Sequence, residues 1–312
     1  MQEGRGIEAF AERLFYRSGL PERILSTLLS PLGWGYGSVM WLRRHLARRR
    51  SFGLPIISVG NLVVGGSGKT PFVIALASRY ENVWIVSRGY GRQSRGMVQV
   101  SRRGEILCPV EASGDEAMEM ALALPEASVL VSKNRSEGIR RAVEEGAELV
   151  ILDDGFNRVE IEKFEILLEP EVLPNCRVLP AGPFREFPST AAKADLQLKE
   201  GREYRRRVRI LDPAPRMLLA TSIARPERLK PWLPEEVVGH YRLPDHHWFD
   251  EKALAEALRR HRADSLLVTG KDAVKMQGFQ LPLSVMELQL EIDSSVFEAV
   301  ECYLKEFHAA QD

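Results

Sequence analysis

The stretch Ile56-Ile57-Ser58-Val59-Gly60-Asn61-Leu62-Val63-Val64-Gly65-Gly66-Ser67-Gly68-Lys69-Thr70-Pro71 constrains the fold more than any other part of the chain. An apolar run with strand character feeds a glycine-rich loop, and Lys69-Thr70 opens a helix expected over residues 72–79. Glycines let the backbone curl so that successive N–H groups point inward at an anion, and the helix N-terminus adds partial positive charge. Gly65, Gly66, Ser67, Gly68, Lys69 and Thr70 are therefore the candidate phosphate cradle. In such a loop the lysine reaches the outer phosphates of ATP and the threonine hydroxyl faces Mg²⁺. The strict spacing of that motif is not met, because its first glycine falls on Val63. A glycine turn with an incidental lysine is the competing view, and the order strand, loop, helix argues against it.

A metal-binding partner is expected at the end of a neighbouring strand. Leu149-Val150-Ile151-Leu152 runs into Asp153-Asp154-Gly155, which places two carboxylates at the C-terminal edge of a buried parallel strand. Mg²⁺ takes oxygen ligands and keeps several waters, so one or two carboxylates suffice. Further strands are expected at 56–59, 83–86, 129–131, 166–168 and 196–198, separated by helix-length or loop-length connections. The pattern is that of an α/β, P-loop NTPase-like domain with a mostly parallel sheet flanked by helices. A basic run, Arg202 to Arg209, reads as a solvated linker or ribbon face and leads into the turn Asp212-Pro213-Ala214-Pro215. Beyond it, strands at 217–220, 237–241, 266–269 and 285–290, with helices capped by Asp250 and by Asp293 or Ser294, describe a second, smaller α/β domain. The expected division is an N-terminal segment 1–50, a core 51–211 and a C-terminal domain 212–312.

The N-terminal segment has its own character. Ile7, Phe10, Leu14 and Phe15 fall at helical spacing, which predicts an amphipathic helix over 7–17. Residues 24–42 carry no charge, but Pro31, Gly33, Gly35 and Gly37 dilute them, so lying on a membrane suits them better than spanning one. Trp34, Tyr36 and Trp41 precede Arg43, Arg44, Arg48, Arg49 and Arg50, an aromatic-plus-basic mixture suited to an anionic lipid surface. A core helix with a solvated basic end is the alternative. Lys plus Arg and Asp plus Glu both total 43, so no global charge argues for nucleic acid. Cys108, Cys176 and Cys302 form no paired motif, in keeping with a reducing cytosol, and no signal peptide is visible.

Several blocks together resemble the tetraacyldisaccharide 4'-kinase (lipid A 4'-kinase) family. They are Ser58 to Leu62 with Gly65 to Pro71, Ser87-Arg88-Gly89-Tyr90-Gly91-Arg92, Gly114-Asp115-Glu116, and Leu152-Asp153-Asp154-Gly155-Phe156. Leu179 to Glu186, Pro244-Asp245-His246-His247 and Lys271-Asp272-Ala273-Val274-Lys275 follow in family order. The resemblance implies transfer of the ATP γ-phosphoryl group to the 4'-hydroxyl of an acylated glucosamine disaccharide 1-phosphate, by a monomer bound peripherally to the cytoplasmic face of the inner membrane. It assigns Asp115, His246, Lys69 and Arg185 to catalysis and Thr70, Asp153, Asp154 and Glu186 to the metal side. It also sets Asn61, Arg88 and Tyr90 on the substrate side. Three departures stand out. The family's Asp-Asp-Gly-Phe-Gln-His ends in Asn157-Arg158, its Thr-Glu-Lys-Asp has Gly270 in second place, and its glycine-rich turn reads Ser222 to Pro226.

A sugar hydroxyl must lose its proton as it attacks phosphorus, so an Asp115–His246 pair has chemical sense, with either residue as the acceptor. A nucleotide-dependent switch or assembly factor would need no such pair. A P-loop kinase of a soluble metabolite would leave the aromatic and basic N-terminus without a purpose.

Overall fold

A computed structural model describes residues 13–16, 19–64, 68–169, 173–223, 226–245 and 247–310. Its strands are β1 (Ile56–Gly60), β2 (Val83–Ser87), β3 (Val98–Arg102), β4 (Glu105–Ile106), β5 (Ser128–Val131), β6 (Leu149–Asp153), β7 (Phe164–Glu169), β8 (Leu196–Lys199), β9 (Tyr204–Leu211), β10 (Met217–Thr221), β11 (Val237–Arg242), β12 (Ser265–Thr269) and β13 (Leu283–Ile292). Its helices are α1 (Leu20–Leu46), α2 (Lys69–Ala77), α3 (Val110–Ser113), α4 (Asp115–Ala123), α5 (Arg135–Glu144), α6 (Glu251–His261), α7 (Gly270–Ala273) and α8 (Ser294–Ala309). Of the amphipathic helix expected over 7–17, residues 13–16 are described and helical, and the rest lies outside the described residues.

The chain divides into two compact units, one of residues 1–69, 154–204 and 293–312 and one of residues 70–153 and 205–292. In the first, β1, β7 and β8 lie side by side in parallel, with Ile57 opposite Phe164 and Ile166 opposite Leu196. Every residue of β1 is buried, as its nearly continuous apolar sequence requires of an inner parallel strand. Helix α8 starts on Asp293, whose carboxylate accepts from the Ser295 N–H, and buries Val296 and Val300. Its Tyr303 ring stacks on Phe164 at 4.9 Å, and its hydroxyl accepts from the Ile56 N–H at 3.1 Å.

Helix α1, in the same unit, is amphipathic in an unusual sense. Its buried positions are Ser26, Gly33 and Gly37. A Cβ on Gly33 would come within 2.8 Å of the Val178 carbonyl, and one on Gly37 within 2.6 Å of the Phe187 ring. Small residues therefore let the helix backbone lie close to the 175–187 loop, where Ser26 donates to the Ala181 carbonyl at 2.6 Å. The large apolar side chains point the other way: Leu20, Ile24, Leu28, Leu32, Trp34 and Leu46 are all exposed, Leu28 at 72 %. Among the described residues no helix is long and apolar enough to cross a membrane.

The second unit holds five strands in the order β4-β3-β5-β2-β6, with β2 parallel to β5 and β6, and β3 antiparallel to β5. It also holds a sheet in the order β11-β10-β12-β13-β9, parallel across β11-β10-β12-β13. Both faces of β10 are covered, because Leu218 and Ala220 pack with Leu254 and Leu258 of α6 while Met217 and Leu219 pack with Met286, Val208 and Ile210. Asp250 caps α6 by accepting from the Ala253 N–H at 2.8 Å, as its sequence predicts. The basic run around 205–209 is strand β9, with Arg205, Arg207 and Arg209 exposed and the residues between them half-buried.

Candidate active site

Several residues expected from the sequence to lie at the nucleotide gather where β1 ends in the first unit. Gly60 is required there, since a Cβ would fall 2.5 Å from that of Phe156. This close approach brings Asn61 and the segment after Asp153 together. Gly65, Gly66 and Ser67 lie outside the described residues, while Gly68 adopts φ +75° before Lys69 opens α2. The Lys69 ammonium donates to Asn61 Oδ1 at 3.1 Å and lies 3.4 Å from Asp154 Oδ1. Arg185 reaches the same carboxylate, at 3.2 Å to Oδ1 and 3.0 Å to Oδ2. Burial pushes the Asp154 carboxyl up, but Lys69 and Arg185 outweigh it and hold the group below the ordinary carboxylate range.

Two cations thus converge on one carboxylate, and one of them, Lys69, also holds the buried Asn61 amide. The Asn61 Nδ2 group has no hydrogen-bond partner among the described residues although it is buried. An orphaned donor beside a lysine and an arginine suits an incoming phosphate.

Glu186 is 4 % exposed, and Arg44 of α1 holds both of its oxygens, with Nε at 2.8 Å and Nη2 at 3.0 Å. Arg44 also donates to the Phe156 carbonyl at 3.1 Å and lies over the Phe156 ring. The expectation that Arg44 belongs to a lipid-facing cluster is corrected here: its side chain turns inward, because only a guanidinium fork satisfies a buried carboxylate and a carbonyl together. Arg43, Arg48, Arg49 and Arg50 stay exposed.

In the second unit, Asp153 ends β6 with Oδ2 accepting from the Ser87 hydroxyl at 2.8 Å and its carbonyl accepting from Arg135 at 3.0 Å. Thr70 is half-buried in the first turn of α2. Among the described residues no three His, Cys, Asp or Glu side chains form a metal cluster. Hard oxygen donors are nevertheless what Mg²⁺ takes, and it commonly uses one or two carboxylates with water and phosphate completing the shell.

Asp115 is the first residue of α4, behind Gly114 at φ +85°, where a Cβ would strike the Tyr90 carbonyl at 2.6 Å. That contact seats the loop bearing Arg88 and Tyr90, both exposed, against the start of α4. Asp115 itself is buried, with Lys275 3.4 Å and Lys271 3.8 Å from its Oδ2. His246 lies outside the described residues. The departure at Gly270 has a physical counterpart in Glu119, whose Oε1 stands 2.6 Å from where a Cβ on Gly270 would be. The space of a side chain at 270 is filled by a carboxylate from α4.

Sequence reasoning passed over Arg44 as a site residue and gave the two lysines no role. The lysines are spaced four apart in Lys271-Asp272-Ala273-Val274-Lys275, a helical spacing that puts both on one face and was the available signal.

The family model described as LpxK: Tetraacyldisaccharide-1-P 4'-kinase matches residues 25–305. A Tetraacyldisaccharide 4'-kinase of Helicobacter pylori (strain HPAG1) is 45% identical over 298 residues, covering 95% of both chains. That of Aliarcobacter butzleri is 41% identical over 295 residues, covering 92% of this chain and 94% of the other. A crystal structure of LpxK from Aquifex aeolicus, described as an "apo" form in complex with ATP, matches with a TM-score of 0.76 at 27% identity, covering 89% of this chain and 98% of that one. With a family match over most of its length and relatives well above a third identical, this chain belongs to the tetraacyldisaccharide 4'-kinase family.

Proposed function

We infer that this chain is an ATP-dependent kinase that phosphorylates the 4'-hydroxyl of a tetraacylated glucosamine disaccharide 1-phosphate in lipid A biosynthesis. The observation that carries the assignment of residues is the convergence of Lys69 and Arg185 on Asp154 beside Asn61, whose Nδ2 has no partner among the described residues. Cations held at that spacing neutralise charge on a transferring phosphoryl group without reorganising at the moment of reaction. Magnesium-bound ATP supplies the phosphoryl group and the metal's charge. Gly65, Gly66, Ser67 and Gly68 would offer backbone N–H groups to the phosphates, and Thr70, Asp153 and Asp154 would hold the metal. Glu186, already paired with Arg44, would serve the metal directly or through water. Asn61, Arg88 and Tyr90 orient the substrates.

Asp115 and His246 take the hydroxyl proton as the new oxygen–phosphorus bond forms and the bond to the bridging oxygen of ADP breaks. Residues 51–211 serve as the kinase core, 212–312 as a smaller α/β domain and 1–50 as the membrane-associating segment. The outward apolar face of α1, with Trp34, Trp41 and the exposed arginines, rests on the cytoplasmic face of the inner membrane, where the acylated acceptor resides. The enzyme works there as a peripheral monomer with no nucleic-acid partner.

Labelled ATP offered with the tetraacyl disaccharide 1-phosphate, its deacylated form, a free sugar and no acceptor tests this reading. Transfer to the 4'-position of the acylated acceptor, lost in Asp115→Ala and His246→Ala, is expected. ATP hydrolysis that needs no lipid and survives both changes would point to a nucleotide-driven switch instead. The double variant should cost much less than the product of the single losses, since residues acting as a unit are not additive.

A further inference from the structure

Around Asp115 the second unit builds a buried chain of alternating charge that the reaction as described does not use. Lys275, its side chain 2 % exposed, stands 3.4 Å from Asp115 Oδ2 and 3.4 Å from Asp272 Oδ1, and donates to the Ser222 hydroxyl. Asp272 does not depend on that lysine alone. Its Oδ2 accepts from the Thr221 and Thr269 hydroxyls at 2.8 Å each, and its Oδ1 accepts from the Ser222 hydroxyl at 2.8 Å and the Ser222 N–H at 3.1 Å. Lys271, one helical turn away, lies 3.8 Å from the same Asp115 oxygen, 3.3 Å from Glu116 Oε1 and 3.9 Å from Asp245 Oδ1.

A buried ion pair seldom stabilises a fold more than well-packed apolar groups of the same volume would. This arrangement is therefore poorly explained by stability. Two features point elsewhere. Both ammoniums approach one oxygen of Asp115, Oδ2, which orients the carboxylate rather than merely neutralising it. Lys271 also reaches Asp245, the residue immediately before His246, and so ties that segment to the N-terminus of α4.

We propose that Lys271 and Lys275 are positioning residues for phosphoryl transfer: together they hold the Asp115 carboxylate in one orientation, and Lys271 additionally anchors Asp245. The proposal rests on the reading that Asp115 serves the acceptor hydroxyl. The anchor for both lysines is Asp272, which fixes the α7 turn to the ends of β10 and β12 through Thr221, Ser222 and Thr269. Neither lysine is asked to touch ATP, so nucleotide binding is independent of them.

The test compares Lys271→Met, Lys271→Arg, Lys275→Met, Lys275→Arg and Asp115→Asn, with each Met change also made in the Asp115→Asn background. Steady-state kinetics with ATP and the tetraacyl disaccharide 1-phosphate are joined to ATP affinity measured by calorimetry. Each Met change is expected to lower kcat about 10- to 100-fold with ATP affinity unchanged, and the Arg changes to restore part of the loss. In the Asp115→Asn background the Met changes should cost almost nothing further. Lys275→Met leaves Asp272 without its cation, so the pair Lys275→Met/Asp272→Asn is made alongside it; if neither folds, the Lys271 variants decide the matter alone. Losses of equal size with and without Asp115 would overturn the proposal, as would full kcat in Lys271→Met. An inactive Asp115→Asn beside fully active lysine variants would sink only the proposal. A fully active Asp115→Asn would instead sink the acceptor-side reading beneath it.

Discussion

The guanidinium of Arg44 grips both carboxylate oxygens of Glu186, joining helix α1 to a residue next to Arg185 in the chain. The same guanidinium covers the Phe156 ring at 4.7 Å, two residues after Asp154. Helix α1 therefore has two jobs on two faces. Its inner face braces the loops that carry Asp154, Arg185 and Glu186, and its outer face presents leucines and tryptophans.

Replacing Arg44 by Met leaves a buried carboxylate without its cation, which costs about 3–5 kcal/mol. The melting temperature should fall clearly in the absence of any lipid. Arg44→Met/Glu186→Gln should recover much of it, since no uncompensated charge remains. If thermal melts of the single and double variants are alike, the pair is not what braces these loops.

On the proposed reading, in which the Lys69 ammonium acts on the transferring phosphates, Lys69→Ala should abolish turnover while the fold is kept, since Arg185 still neutralises Asp154 in its absence. More than roughly a tenth of the wild-type kcat in the variant would speak against the phosphate-loop assignment.

The membrane reading is best tested by point changes, because deleting residues 1–50 would also remove Ser26, Gly33, Gly37 and Arg44 from the packed face. Leu28→Gln and Leu32→Gln sit on the exposed side and should leave the unfolding free energy within about 0.5 kcal/mol of the wild-type value. Each should weaken sedimentation with anionic vesicles, a leucine side chain being worth about 1.5–3 kcal/mol when buried. Raising the salt should weaken binding further through Arg48, Arg49 and Arg50, each worth about 1 kcal/mol near an anionic surface. Vesicle binding unchanged in both variants would place the contact elsewhere.

Glu119 makes stability depend on pH. Burial first, then Glu116 with help from Asp115 and Asp272, pushes its carboxyl up to about 8 against the opposing pull of Lys271. Between the ordinary glutamate value of about 4.3 and that raised value, the folded protein holds a proton that the unfolded chain has released. Stability from this group therefore falls as pH rises through that window. Glu119→Gln should flatten the decline in melting temperature between about pH 5 and pH 8. A slope identical in the two proteins would show that Glu119 is ionised throughout.

The local physics of the chain was enough to find most of the architecture. Short apolar runs mark β1, β2, β5, β6 and β10, whose residues are all buried as inner parallel strands require, and apolar runs also mark the less buried β7, β8 and β11 to β13. Asp250 and Asp293 mark helix starts for a reason contained within three residues of sequence. The glycine loop, Lys69 and the Asp153-Asp154 pair are legible in the same way, since a strand, a turn and a helix N-terminus are consecutive in the chain. Strand β9 was not. Its Val208 and Ile210 face the core at a period of two, but arginines at 205, 207 and 209 fill the solvent face and mask the alternation as a run of charge. For helix α1 the sequence left a membrane-lying and a core reading open, because hydrophobicity alone does not say which face turns inward. Three small residues fit against the loop at 175–187, so the leucines were left outside and Arg44 was brought in. The lysines around Asp115 belong to the same class, as charged residues far apart in sequence whose partners exist only once the chain has closed on itself. Periodicity and capping are decided by neighbours in the chain, whereas the environment of a buried charge is decided by what packs against it.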